Sequence, residues 1–203
     1  MKKLIALIIF LPLFAVGQNT TYNDTAKKLT DYFSKVHGPD SVKYQKLFFA
    51  AFPDNFTDLN GVYGYNSNME DTAYHGAPLY DGHEHIFFFF TLTTIPEKDF
   101  YQKIINIAIG GHWDADAVNY FQRGLQTKVL QNPKLTFDLL EPKSDTEIKS
   151  FFFFFFHAIH PRYENIPGEL QTLETYDRRI YKMLEQGFKE AISKSGHEHF
   201  SDK

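Results

Sequence analysis

Residues 151–156 are six consecutive phenylalanines, set in the stretch EIKSFFFFFFHAIHP. Successive residues of an α-helix turn by about 100°, so six in a row point all the way round the axis and leave no polar face. A helix of that kind must be covered on every side, which makes it the element that other helices surround. It is too short to cross a membrane: from Phe151 to Ile159 the run rises about 14 Å, half of a ~30 Å hydrocarbon layer. Ser144 and Glu147 have the spacing of a capping box, and neither Gly nor Pro interrupts before Pro161. A helix is therefore predicted over residues 144–161.

Most of the remaining chain carries the same period. Residues 25–38 place Leu29, Tyr32, Phe33 and Val36 on one face, with Asp24 as a candidate N-cap and Gly38 as the stop. Residues 41–53 form a second helix, opened by Asp40 or Ser41 and closed by Pro53. Residues 95–111 start at Pro96 and end in two glycines. Residues 114–133 have Asp114 as cap and Val118, Phe121, Leu125 and Val129 as buried stripe. Asn132-Pro133 opens a short helix through Leu140. Residues 168–196 read as one long helix, with Leu173, Tyr176, Ile180, Leu184, Phe188 and Ile192 inward and the pairs Glu174–Arg178 and Glu185–Lys189 outward. The run IFFFFTLTTI at 86–95 has no period, and its helical neighbours favour helix. The expected fold class is mainly α: a single domain of stacked antiparallel α-hairpins, as an irregular helical bundle or short solenoid-like array.

The first residues bear on compartment. Lys2 and Lys3 precede an apolar run from Leu4 to Val16, with Ala15 and Gly17 suited to signal peptidase. Residues 1–17 are expected to be a cleaved signal peptide, 18–196 the helical domain and 197–203 a flexible polar tail. The chain is then exported, periplasmic or secreted, with no membrane anchor after cleavage. There is no cysteine, so neither disulfide nor lipidated Cys is expected, and stability rests on the Phe-rich core. The formal charge is −4, without a basic cluster, which argues against nucleic acid as a partner.

One stretch departs from the helical pattern. Residues 59–84 are rich in Gly, Asn, Asp and Tyr, and a loop of that length inside a small domain tends to be functional. Tyr63, Tyr65, Tyr74 and Tyr80 among small polar residues have the composition of a recognition surface, where Tyr supplies area at low entropy cost. Arg162 and Tyr163, in a second irregular segment, are expected to join that surface.

Chemistry has fewer candidates. His83, His85, His112, Asp114, His157 and His160 are the available metal ligands. His157 and His160 are three apart and can share a helix face, whereas His83 and His85 converge only on a strand or loop. Asp114 as a cap and His160 at a helix end account for the same residues without metal. No HExxH, GxSxG or Gly-rich phosphate loop is present, and no cofactor signature is found. Asp71-Thr72-Ala73, in the loop, has the form of an exported-protein O-glycosylation signal.

The segments PLYDGHEHIFFFF, GGHWDADAVNYFQ and FFHAIHP resemble a set of small exported proteins of Bacteroidetes. The resemblance implies export and one helical domain, and it carries no functional residues over. The leading expectation is a non-enzymatic extracytoplasmic protein-binding protein, in its most concrete form one that neutralises a toxin as immunity proteins do. The alternatives are a metal-dependent hydrolase using the His/Asp cluster and a carrier of a small hydrophobic ligand.

Overall fold

The computed structural model describes residues 14–65 and 76–195. Among them the fold is mainly α, an irregular bundle of ten helices: α1 (Phe14–Phe33), α2 (Ser41–Ala51), α3 (Phe56–Tyr63), α4 (His83–Thr91), α5 (Glu97–Ala108), α6 (Ala117–Gln131), α7 (Pro133–Leu140), α8 (Asp145–Phe156), α9 (Gly168–Gln171) and α10 (Arg178–Lys194). The only extended pairing among the described residues is an isolated antiparallel bridge between Tyr65 and Gly76.

The phenylalanine helix lies where its composition requires. The Ser144 hydroxyl accepts from the Glu147 N–H while the Glu147 carboxylate accepts from the Ser144 N–H at 2.8 Å, so two otherwise unpaired donors are satisfied. Five of the six phenylalanines are buried, and Phe153 is half-buried. Three of the buried rings show how different helices surround it. Phe137 of α7 faces Phe152 at 6.1 Å, Phe56 of α3 faces Phe154 at 5.4 Å, and Phe188 of α10 faces Phe156 at 4.9 Å. Helix α10 runs closest to α8, and Gly187 makes the approach possible. A Cβ at Gly187 would stand 2.7 Å from the Lys149 carbonyl and 2.9 Å from Phe152 Cβ. Any side chain there would push the two backbones apart.

A second aromatic layer joins α2, α4, α5 and α6. Phe52 and Phe89 stack at 3.9 Å, Phe89 and Phe100 lie 5.0 Å apart, and Phe90 meets Phe121 at 5.4 Å. Phe121 reaches Phe154 at 6.4 Å, so the two layers form one continuous core. The run IFFFFTLTTI is helical as far as Thr91, and Val118, Phe121, Leu125 and Val129 are all fully buried.

Several helix ends differ from expectation, each for a local reason. Helix α8 stops at Phe156 rather than at His160, because its last carbonyls are taken by α6. Gln122 Nε2 donates to the Phe154 and His157 carbonyls, and Gln126 Nε2 donates to that of Phe155 at 2.7 Å. Those are carbonyls that residues 158 and 159 would need to extend the helix. The span 168–196 is not one helix. Asp177 accepts from the Ile180 N–H at 3.0 Å and opens α10 afresh, which leaves Glu174 and Arg178 on different elements. Tyr176 and Ile192 then face solvent instead of the core. Asp24 lies inside α1 and caps nothing. Asp116, not Asp114, occupies the N-cap position of α6. The segment read as a loop from residue 59 starts later, since α3, capped by Asn55, continues to Tyr63.

Candidate functional site

The expected tyrosine surface divides. Tyr63 ends α3 fully buried, with its hydroxyl 3.3 Å from His85 Nδ1, and burial raises its pKa well above the ordinary phenol value. It belongs to the core. Two residues on, Tyr65 is 44% exposed. Its backbone is fixed on both sides: its N–H donates to Asp114 Oδ2 at 2.9 Å, and it pairs with Gly76 across the base of the intervening segment. The Ala77 N–H donates to the Gly64 carbonyl and the Leu79 N–H to that of Val62, both at 2.9 Å. These bonds bring Tyr80 back beside Tyr65, with ring centroids 5.6 Å apart. Tyr74 lies outside the described residues. Asp114, expected as a cap or a metal ligand, instead ties this corner to the approach of α6 and also accepts from the Ala115 N–H at 2.7 Å.

Arg162 and Tyr163 are committed elsewhere. The Arg162 guanidinium donates to Gln126 Oε1 at 2.9 Å, supporting the glutamine that closes α8. Tyr163 stacks on Phe155 at 5.9 Å, and burial raises its pKa. Both serve the end of the phenylalanine helix.

The metal candidates are dispersed. His83 and His85 lie on one helix, the first exposed and the second buried in a box of Phe33, Phe48 and Tyr63. His112 is exposed with its ring edge on Phe56 at 4.7 Å. His157 is buried, its Nδ1 accepts from the Trp113 N–H at 3.2 Å, and its ring stacks on Phe153 at 4.6 Å. His160 is exposed beyond the helix end, so the pair does not share a helix face. Among the described residues no group of three or more His, Asp or Glu could hold a metal ion.

Beside His83 the structure brings two residues that the sequence did not mark, Phe87 and Tyr120. On α4 and α6, His83, Phe87 and Tyr120 form a triangle of rings, with separations of 5.7 Å (His83–Phe87), 5.8 Å (His83–Tyr120) and 5.0 Å (Phe87–Tyr120). Phe87 is 51% exposed in a chain that buries most of its phenylalanines. Arg123 lays its guanidinium 6.0 Å from the Tyr120 ring centre. Tyr80 is three residues ahead of His83, and Asp114, which holds Tyr65, is six ahead of Tyr120. The two ring groups are thus joined by short stretches of chain leading into α4 and α6. Phe87 gave no sign of itself, because four successive phenylalanines have no period to show which one faces water.

A separate groove of about 650 Å³ beside the start of α2 is lined by Pro39, Asp40, Val42, Lys43, Lys46 and Leu47, with no aromatic ring among them. No helix among the described residues is long and apolar enough to cross a membrane. Comparison with known protein families, curated proteins and solved structures finds no match.

Proposed function

We propose that this is a non-enzymatic, extracytoplasmic binding protein that grips another protein through the aromatic corner of Tyr65, Tyr80, His83, Phe87 and Tyr120. The observation that carries the reading is the exposure of Tyr65 and Phe87 on backbone that is already fixed. Exposed large rings are costly to leave in water and are the residue type that dominates binding energy at interfaces. Holding them in place before contact lowers the ordering cost of association. The corner is built from Tyr, Phe and His on a rigid scaffold, as in paratopes that work by preorganised aromatic area. Neutralisation of a toxin is the most specific form of this reading.

The test is a photo-crosslinking amino acid placed at Tyr65 or Phe87 in the native host, with Tyr176, on the segment before α10, as control. One discrete protein adduct from positions 65 and 87 and none from 176 is the expected result. Equal labelling from all three, or none, would remove the proposal. For the neutralisation form, co-expression with the product of the neighbouring open reading frame should yield a complex and relieve toxicity. Failure of both would leave binding without neutralisation.

A further inference from the structure

We infer that the partner segment docked on this corner is cationic, presenting Arg or Lys side chains to the ring faces; the inference rests on the binding reading above. Three observations select that chemistry over an acidic or purely aliphatic segment. First, the cluster offers π-faces, whose negative potential attracts a cation and repels a carboxylate. Second, Arg123 already sets a guanidinium against Tyr120 within the chain, so this ring accepts a cation in its own setting. Third, exposed carboxylates flank the rings. Glu84 stands three residues before Phe87 on α4 and so neighbours that ring on the helix, and Asp116 is the N-cap of α6, one turn ahead of Tyr120 in the chain.

Neither carboxylate is spent. Asp116 occupies the N-cap position without a side-chain capping bond, and among the described residues no salt bridge engages Glu84 or Asp116. A planar, weakly hydrated guanidinium can stack on a ring while its N–H groups reach a carboxylate beside it. A chain of formal charge −4 further favours approach of a basic partner and disfavours a second copy of itself.

The probes are two synthetic octapeptides, one alternating Leu with Arg and one alternating Leu with Glu. Each is titrated into 15N-labelled protein while the amides of residues 83–87 and 116–120 are followed. The Arg peptide should shift those amides saturably, and its Kd should weaken about fivefold or more as salt rises from about 50 to about 300 mM. Phe87→Ala, and separately Glu84→Gln with Asp116→Asn, should each weaken it by about fivefold in protein that remains folded. No saturable shift, or variants that bind the Arg peptide as well as the parent does, would overturn the inference. Equal binding of the Glu peptide at the same amides would overturn the cationic class while leaving the protein-binding reading intact. Shifts of those amides with protein concentration alone would make a second copy the occupant and also overturn it. The broader reading fails on its own evidence, the crosslinks from positions 65 and 87.

Discussion

The Tyr63 hydroxyl lies 3.3 Å from His85 Nδ1, inside a box completed by Phe33 at 4.5 Å and Phe48 at 5.7 Å from the imidazole. Burial disfavours the imidazolium and lowers the pKa of His85 below its ordinary 6.5, with the Glu84 carboxylate opposing weakly. The unfolded chain then takes up a proton more readily than the folded one. His85 contributes stability that is whole above pH 6.5 and is lost as pH falls from there through the lowered folded value. Urea unfolding should show stability declining with a slope approaching ~1.4 kcal/mol per pH unit below that point, and His85→Gln should flatten it. A parent protein whose unfolding free energy is level from pH 7 to pH 5 would contradict this, taking those bounds as roughly spanning the window.

The six phenylalanines are not equivalent. Phe154 is fully buried between α3 and α6, whereas Phe153 is half-buried beneath the His157 ring and the Lys194 ammonium. Phe154→Ala should cost ~3–5 kcal/mol, most of what a marginally stable domain has. Phe153→Ala should cost about 1–2 kcal/mol, since part of its surface is already in water. Equal midpoints in urea would refute the central-helix packing.

The end of α8 depends on two glutamines from another helix. Gln122 and Gln126 are 3% exposed and supply the donors for three carbonyls. Replacing either by Leu leaves buried acceptors unpaired, at about 1–3 kcal/mol for each acceptor stranded. Gln126→Leu also removes the acceptor of the Arg162 guanidinium, so Arg162→Ala should cost less in that background than in the parent. Additive costs in the double-mutant cycle would show that the two side chains act independently.

Gly187 sits where α10 crosses α8 at backbone distance. Gly→Ala normally stabilises an exposed helix by up to ~1 kcal/mol, but here the added Cβ meets the Lys149 carbonyl and Phe153 backbone. The expected outcome is a loss of about 1–3 kcal/mol, read as a lower urea midpoint. A gain would mean that the helices do not approach as described.

How far the fold could be read from sequence follows from what each signal depends on. The Ser144–Glu147 box and the Val118–Phe121–Leu125–Val129 stripe are local, with spacing set by helix geometry alone, and both were legible. The end of α8 was not, because it is decided by side chains more than twenty residues away on α6. The break at Asp177 was overridden by a good helical period on either side, although Asp is a strong N-cap. At the candidate site, composition groups Tyr63 with Tyr65 and Tyr80, but a tyrosine's burial is set by what packs over it, and Tyr63 lies in the core while Tyr65 and Tyr80 lie side by side. Phe87 was hidden inside an aperiodic run.

The account rests on the exposed rings being a binding surface, and the most direct measurement is the affinity of the crosslinked partner for a Tyr65→Ala, Phe87→Ala double variant. Truncating two interface anchors should raise Kd by about 30-fold or more, the equivalent of ~2 kcal/mol. The double variant should stay folded with a melting point only a few degrees lower, because about half of each side chain is already exposed. An unchanged Kd in a folded double variant would contradict the account.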